Sequence, residues 1–76
     1  MAKADTILKG LGGSDNISEI EPCITRLRVV VNDSDLVDEA VLKSAGIFGL
    51  VRSGSTIQVV VGPEADTLAE DIEDLR

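Results

Sequence analysis

The sequence has no histidine, no tryptophan and no tyrosine, and it has only one phenylalanine and one cysteine. A lone cysteine excludes an intrachain disulfide, and without histidine we expect no zinc site, no other metal and no cofactor. No apolar run approaches the ~20 residues that span a bilayer, and no signal peptide begins the chain. The net charge of −7 and the shortage of aromatic residues argue against binding to nucleic acid.

What remains is a small, aliphatic, acidic protein. With 76 residues, 43% of them hydrophobic, we expect one domain spanning residues 1–76 and a core of Val, Ile and Leu. A free thiol survives in a reducing cytosol, so we expect a cytoplasmic protein, acting as a monomer.

The apolar periodicities predict an α+β fold in the order α-β-β-α-β-β-α. Short loops join the strands in pairs, which predicts a four-stranded antiparallel sheet with three helices on one face. The expected elements are a helix over 3–11, strands over 16–21 and 25–32, a helix within 36–45, strands over 47–52 and 56–61, and a helix opening at Gly62-Pro63. Asp35 or Asp38 is the expected cap of the middle helix.

The segment Cys23-Ile24-Thr25-Arg26-Leu27-Arg28 is the strongest candidate site. The period of two along a strand places Arg26 and Arg28 on one sheet face and Leu27 on the other. Pro22 lacks a backbone donor, so the first strand is expected to end there and to leave Cys23 at the tip of a hairpin.

Each of these residues has an ordinary interpretation as well. Most lone cysteines are small buried hydrophobes, but a proline, a turn and two neighbouring cations favour an exposed thiolate at Cys23. Arg26 and Arg28 are either solvated strand residues or a fork of donors for phosphate oxygens. The Thr25 hydroxyl and the backbone amides of the tip are further candidate anion ligands, and Arg52 is a weaker one.

Around this segment the sequence resembles the IIB domain of the glucose-type sugar phosphotransferase system. The cysteine block is the most specific part of the resemblance, and matching stretches follow in the family's order over nearly the whole chain. They are Asn16-Ile17, Cys23 to Val29, Val37 to Ala40 with Leu42-Lys43, Gly46 to Val51, and Gln58 to Gly62.

The resemblance implies a protein-phosphohistidine–sugar phosphotransferase. Cys23 would accept a phosphoryl group from the phosphohistidine of a IIA protein or domain and pass it to a sugar bound in the membrane IIC partner. Cys23 is thereby implied to be the phosphorylated residue. The chemistry of the neighbouring residues predicts catalytic roles for Arg26 and Arg28 beside Cys23, and phosphate binding by Ile24 and Thr25. The phosphoryl transfer to the sugar would take place at the inner face of the cell membrane. The chain would be a stand-alone IIB domain or a piece of a longer protein.

Alternatives stay open for the identity of the sugar and for the function of the protein. The segments over 46–51 and 62–66 look most like the N-acetylglucosamine-type members, while glucose, maltose and β-glucosides stay open. A regulatory binding module with the same fold, which senses phosphorylation without transport, is the alternative function. A redox thiol protein is a third possibility, although it would lack a resolving cysteine.

Overall fold

A computed structural model describes residues 3–76 of the chain. These residues form three α-helices and four β-strands, which confirms the predicted α+β class and the order α-β-β-α-β-β-α. The elements are α1 (Lys3–Gly10), β1 (Ile17–Cys23), β2 (Arg26–Val31), α2 (Glu39–Ser44), β3 (Gly49–Ser53), β4 (Thr56–Val60) and α3 (Ala65–Leu75). Short 3₁₀ turns at Ser14–Asn16, Ser34–Leu36 and Gly62–Glu64 precede β1, α2 and α3.

The four strands form one antiparallel sheet in the order β1-β2-β4-β3. The central strands β2 and β4 come from different hairpins, so their pairing joins the two halves of the chain. In this pairing Arg26 lies opposite Val60 and Arg28 lies opposite Gln58. Strands β1 and β3 are the edges.

The three helices cover one face of the sheet, as predicted. Alternate side chains of β2 and β4 point to the helices and are almost completely buried, among them Leu27, Val29, Ile57 and Val59. Removing such aliphatic side chains from water contributes about 1.5–3 kcal/mol each. The helices complete this core with Ala4, Ile7, Leu42, Leu68, Ala69 and Ile72. Of the helices in residues 3–76, none has the length and apolar character that crossing a membrane requires.

The expectation that β1 ends at Pro22 is wrong. The strand continues through Pro22, opposite Leu27, to Cys23. Proline is tolerated because β1 is an edge strand, where a backbone nitrogen that faces solvent needs no partner. β1 is also irregular, because it contains a bulge between Ile17 and Glu19. The bulge lets Ile17 and Ile20, which are three residues apart, both lie opposite inward-facing valines of β2.

Local capping follows the sequence closely. The carboxylate of Asp38 accepts hydrogen bonds from the amides of Ala40 and Val41 and so caps α2.

The buried Asn16 was expected to open β1 but lies in the preceding 3₁₀ turn. Its side chain donates to the carbonyls of Leu11 and Asp33 and accepts from the Asp33 amide, which ties the end of α1 to the loop after β2.

Candidate active site

Cys23 is an exposed free thiol at the end of β1. It pairs directly with Arg26, and only Ile24 and Thr25 close the hairpin between them. Directly opposed residues of an antiparallel pair have Cβ atoms about 4.5–5.5 Å apart, and diagonal neighbours about 7–8 Å. Cys23 therefore has Arg26 directly opposite it and Arg28 on the diagonal, at backbone spacings that long side chains can bridge.

The turn itself has an unusual backbone. Ile24 has a φ of 48°, the one positive φ at a non-glycine residue in 3–76. A β-branched residue in this region is an outlier, since its side chain crowds the following carbonyl group, and such residues cost about 1–3 kcal/mol. Ile24 is also 89% exposed, so burial of its side chain does not offset this cost.

A pair of backbone hydrogen bonds holds the turn in place. The carbonyl oxygen of Thr25 accepts from the amides of Val61 and Gly62, each at 2.9 Å. Gly62 has a φ of 82°, and a Cβ atom there would lie 2.7 Å from Cε2 of Phe48. The tip is therefore fixed to the end of β4 at a position that suits only glycine. Among the backbone hydrogen bonds that residues 3–76 form outside their helices and strands, none is donated by the amide of Ile24 or Thr25. These two amides are therefore available to an anion.

Arg26 and Arg28 both lie on the open face of the sheet, while Leu27 is buried between them, as predicted. The Nη1 atom of Arg26 donates to Oε1 of Gln58 at 2.8 Å. Nη1 of Arg28 lies 3.6 Å from Oε1 of Glu21, its neighbour across the β1–β2 pair. Each guanidinium group is thus oriented by one partner and keeps further donors for a ligand.

Gln58 and Glu21 are site residues that sequence reasoning missed. Both approach the arginines across strands, and the cross-strand register is not visible in the sequence. The one available signal was the period of two: Gln58 is polar between the buried Ile57 and Val59, which places it on the same face as the arginines.

Arg52 does not belong to the site. Its register opposite Ile57 turns it toward the helices, where its guanidinium group donates to Glu39 at 2.9 Å and to the carbonyl of Ser34 at 2.7 Å. Gly49 lies on the open face opposite Val60, in the same row as Arg26 and Cys23.

Phe48 is 76% exposed and packs against Gly62 beside the tip. It is therefore not part of the core. Together with Ile24 it gives the tip an apolar rim. Metal-ligating side chains are not gathered in groups of three or more anywhere in residues 3–76.

Comparisons with known proteins indicate one family. The family model described as phosphotransferase system, EIIB, matches residues 5–38. The N-acetylglucosamine-specific EIIB component of Streptomyces coelicolor is 60% identical over 74 residues, which cover 97% of this chain and 96% of that protein. The N-acetylglucosamine-specific EIICB component of Bacillus subtilis is 51% identical over 67 residues, 87% of this chain but only 15% of that longer protein.

A solved structure has the same fold. It is one domain of the phosphotransferase system IIabc component from Clostridium difficile, with a TM-score of 0.79 and 24% identity, and the match covers 96% of this chain and 77% of that one. The identity of 60% to an EIIB component, over nearly the full length of both proteins, shows the family. The chain belongs to the EIIB family of the sugar phosphotransferase system.

Proposed function

We propose that Cys23 carries a phosphoryl group from a IIA phosphohistidine to a sugar bound in a membrane IIC partner. The observation that carries the proposal is the direct pairing of an exposed thiol with Arg26 at a turn whose amides are available. Phosphoryl transfer depends mainly on positioning and on stabilising the charge of the moving group, and the tip offers both.

In the first step the thiolate sulfur of Cys23 attacks the phosphorus of the donor. The S–P bond forms as the N–P bond breaks, and the electron pair of that bond returns to the imidazole nitrogen. The equatorial oxygens then face Arg26 and Arg28, with the amides of Ile24 and Thr25 as further ligands.

In the second step the 6-hydroxyl oxygen of the sugar attacks the same phosphorus. The O–P bond forms, the sulfur leaves as a thiolate, and the hydroxyl proton passes to a base in the IIC partner. We propose that Arg26 and Arg28 matter more here than in the first step, because a neutral sugar brings no cation to the phosphoryl group.

The tip also suits two successive partners. It projects from the sheet with Ile24 and Phe48 as its apolar rim, and a small exposed rim fits transient contacts of modest area. The acidic remainder of the surface would orient an acidic partner toward the arginines. The Bacillus relative is named as EIIC and EIIB together, which supports a IIC partner at the membrane for this chain.

For the sugar we propose N-acetylglucosamine. The support is that two relatives, 60% and 51% identical to this chain, are N-acetylglucosamine-specific components. Sugar contacts belong to the IIC partner, so the assignment concerns the partner that this domain serves.

The test is a reconstituted relay. The protein is combined with phosphoenolpyruvate, the general phosphotransferase proteins, a IIA partner and membranes that carry either an N-acetylglucosamine-type or a glucose-type IIC. We expect phosphorylation of N-acetylglucosamine that depends on this protein and is lost in Cys23→Ser. Sugar phosphate formed only with the glucose-type membranes would contradict the sugar, and sugar phosphate formed equally by Cys23→Ser would contradict the carrier role.

A further inference from the structure

The two arginines of the site have partners of different charge. Arg26 is held by Gln58, whose amide side chain is neutral. Arg28 faces the carboxylate of Glu21 at 3.6 Å, with the two side chains 49% and 63% exposed. An ion pair at this distance and exposure is weak, so a stronger anion displaces it easily.

Glu21 is also close to the thiol. It lies two residues before Cys23 on the same strand, and both are paired with residues of the open face, Arg28 and Arg26. Two residues along a strand span about 7 Å. A phosphoryl group on Cys23 would therefore bring up to two negative charges near a fixed carboxylate and compete with it for Arg28.

From this arrangement we infer that Glu21 is a positioning residue that tunes how readily the phosphoryl group leaves Cys23. The inference rests on the proposed phosphocarrier function. While the thiol is free, Glu21 is the anion that faces Arg28. Once the S–P bond has formed, Glu21 repels the phosphoryl group and weakens the hold of Arg28 on it, so the phosphocysteine is less stable than the arginines alone would make it.

The consequence is a higher tendency to transfer. When the S–P bond breaks, whether toward a sugar hydroxyl or back to the donor imidazole, the phosphoryl charge moves away from Glu21 and the Glu21–Arg28 pair re-forms. Glu21 thus opposes the accumulation of phosphocysteine and favours its discharge, without contacting the reacting atoms itself.

The experiment measures the equilibrium between phosphorylated IIA and this protein. Phosphorylated IIA is mixed with the full chain, and the phosphorylated fraction of each is read from intact mass. Glu21→Gln should shift the partition toward phosphorylated IIB by at least about threefold, the size expected for two unit charges about 7 Å apart in water, and by more to the extent that the protein lowers the dielectric constant between them. The shift should shrink at high salt, which screens exposed charges.

The chain offers a matched control in Glu19. It lies on the same strand and is exposed, but it is paired with Val30 instead of an arginine. Glu19→Gln removes the same charge from the same edge of the sheet and should leave the partition within about twofold of the wild type. In an Arg28→Gln background the effect of Glu21→Gln should be smaller than in the wild type, because the competition for Arg28 is gone and only the direct repulsion between Glu21 and the phosphoryl group remains.

A partition that is the same in Glu21→Gln as in the wild type, with both proteins phosphorylated, would overturn the role of Glu21 and leave the carrier function standing. Equal shifts in Glu21→Gln and Glu19→Gln would also overturn it, since they would show a general effect of net charge. Failure of every variant and of the wild type to take up phosphate would overturn the carrier function, and this inference with it.

Discussion

The hairpins β1–β2 and β3–β4 are each closed by two residues, and the first of the two has a positive φ in both: 48° at Ile24 and 59° at Gly54. The carbonyl of the second residue is anchored in the same way, with Thr25 accepting from Val61 and Ser55 accepting from Val31, each at 2.9 Å. The two turns thus share a backbone pattern and lie at opposite ends of the sheet.

The chemistry of the two turns differs. Gly54 takes the left-handed conformation without a steric cost. In the other turn a β-branched residue takes it directly beside the exposed cysteine. Backbone strain of this kind persists where surrounding contacts enforce it, and it is concentrated at functional sites. The comparison indicates that the β1–β2 turn is shaped for function and the β3–β4 turn for stability.

The arginines of the two hairpins provide the largest contrast. Arg26→Gln or Arg28→Gln should lower phosphoryl donation to sugar by about 10²-fold or more, because a charged ligand of the moving group is lost. Acceptance from IIA should fall less. Single-turnover measurements of both steps would test this.

Arg52→Gln is the control for that prediction. It removes the arginine of the other hairpin, whose guanidinium group faces Glu39. Both transfer steps should stay at the wild-type rate, with a loss of at most about 1 kcal/mol in the free energy of unfolding. Equal impairment of acceptance and donation by the Arg26 and Arg28 changes would contradict the assignment of these arginines to the second step.

Gly54→Ala tests the β3–β4 turn, which has no cysteine beside it. A Cβ at this position meets nothing within 4 Å, so the backbone conformation alone sets the cost. We expect a loss of about 1–2 kcal/mol in the free energy of unfolding by urea. Gly49→Ala in the same hairpin is the comparison, since its Cβ would make an ordinary contact with Val60 at 3.8 Å. Equal losses in the two variants would refute the backbone explanation.

Ile24→Gly should have the smallest effect and the opposite sign. It removes the strain of a β-branched residue, while the greater freedom of glycine in the unfolded chain offsets part of the gain. We expect stabilisation of about 1 kcal/mol in urea unfolding. A loss as large as that of Gly54→Ala would show that the Ile24 side chain stabilises the tip and that the strain argument is wrong.

The sequence allowed most of the fold to be predicted, because β2 and β4 combine β-branched residues with an alternation of apolar and polar residues in their first half. Leu27 between Arg26 and Arg28 was enough to assign the faces of β2. The cap of α2 was predicted to be Asp35 or Asp38, each an aspartate near the start of a short helix, and the structure shows Asp38. These signals are local, and local signals can be read from a single sequence.

The features that escaped prediction depend on pairing between strands. Pro22 stays within β1 because that strand is at the edge, and edge position follows from the strand order. Gln58 and Glu21 reach the arginines through the register of neighbouring strands. The positive φ of Ile24 also contradicts ordinary turn preferences, which favour glycine or asparagine at such a position.

The central claim is that Cys23 carries the phosphoryl group, and intact mass tests it most directly. The protein is incubated with phosphoenolpyruvate, the general phosphotransferase proteins and a IIA partner. The account predicts a gain of one phosphoryl group in the wild type and none in Cys23→Ser. A gain that persists in Cys23→Ser, or no gain in the wild type with a IIA protein that is itself phosphorylated, would contradict it.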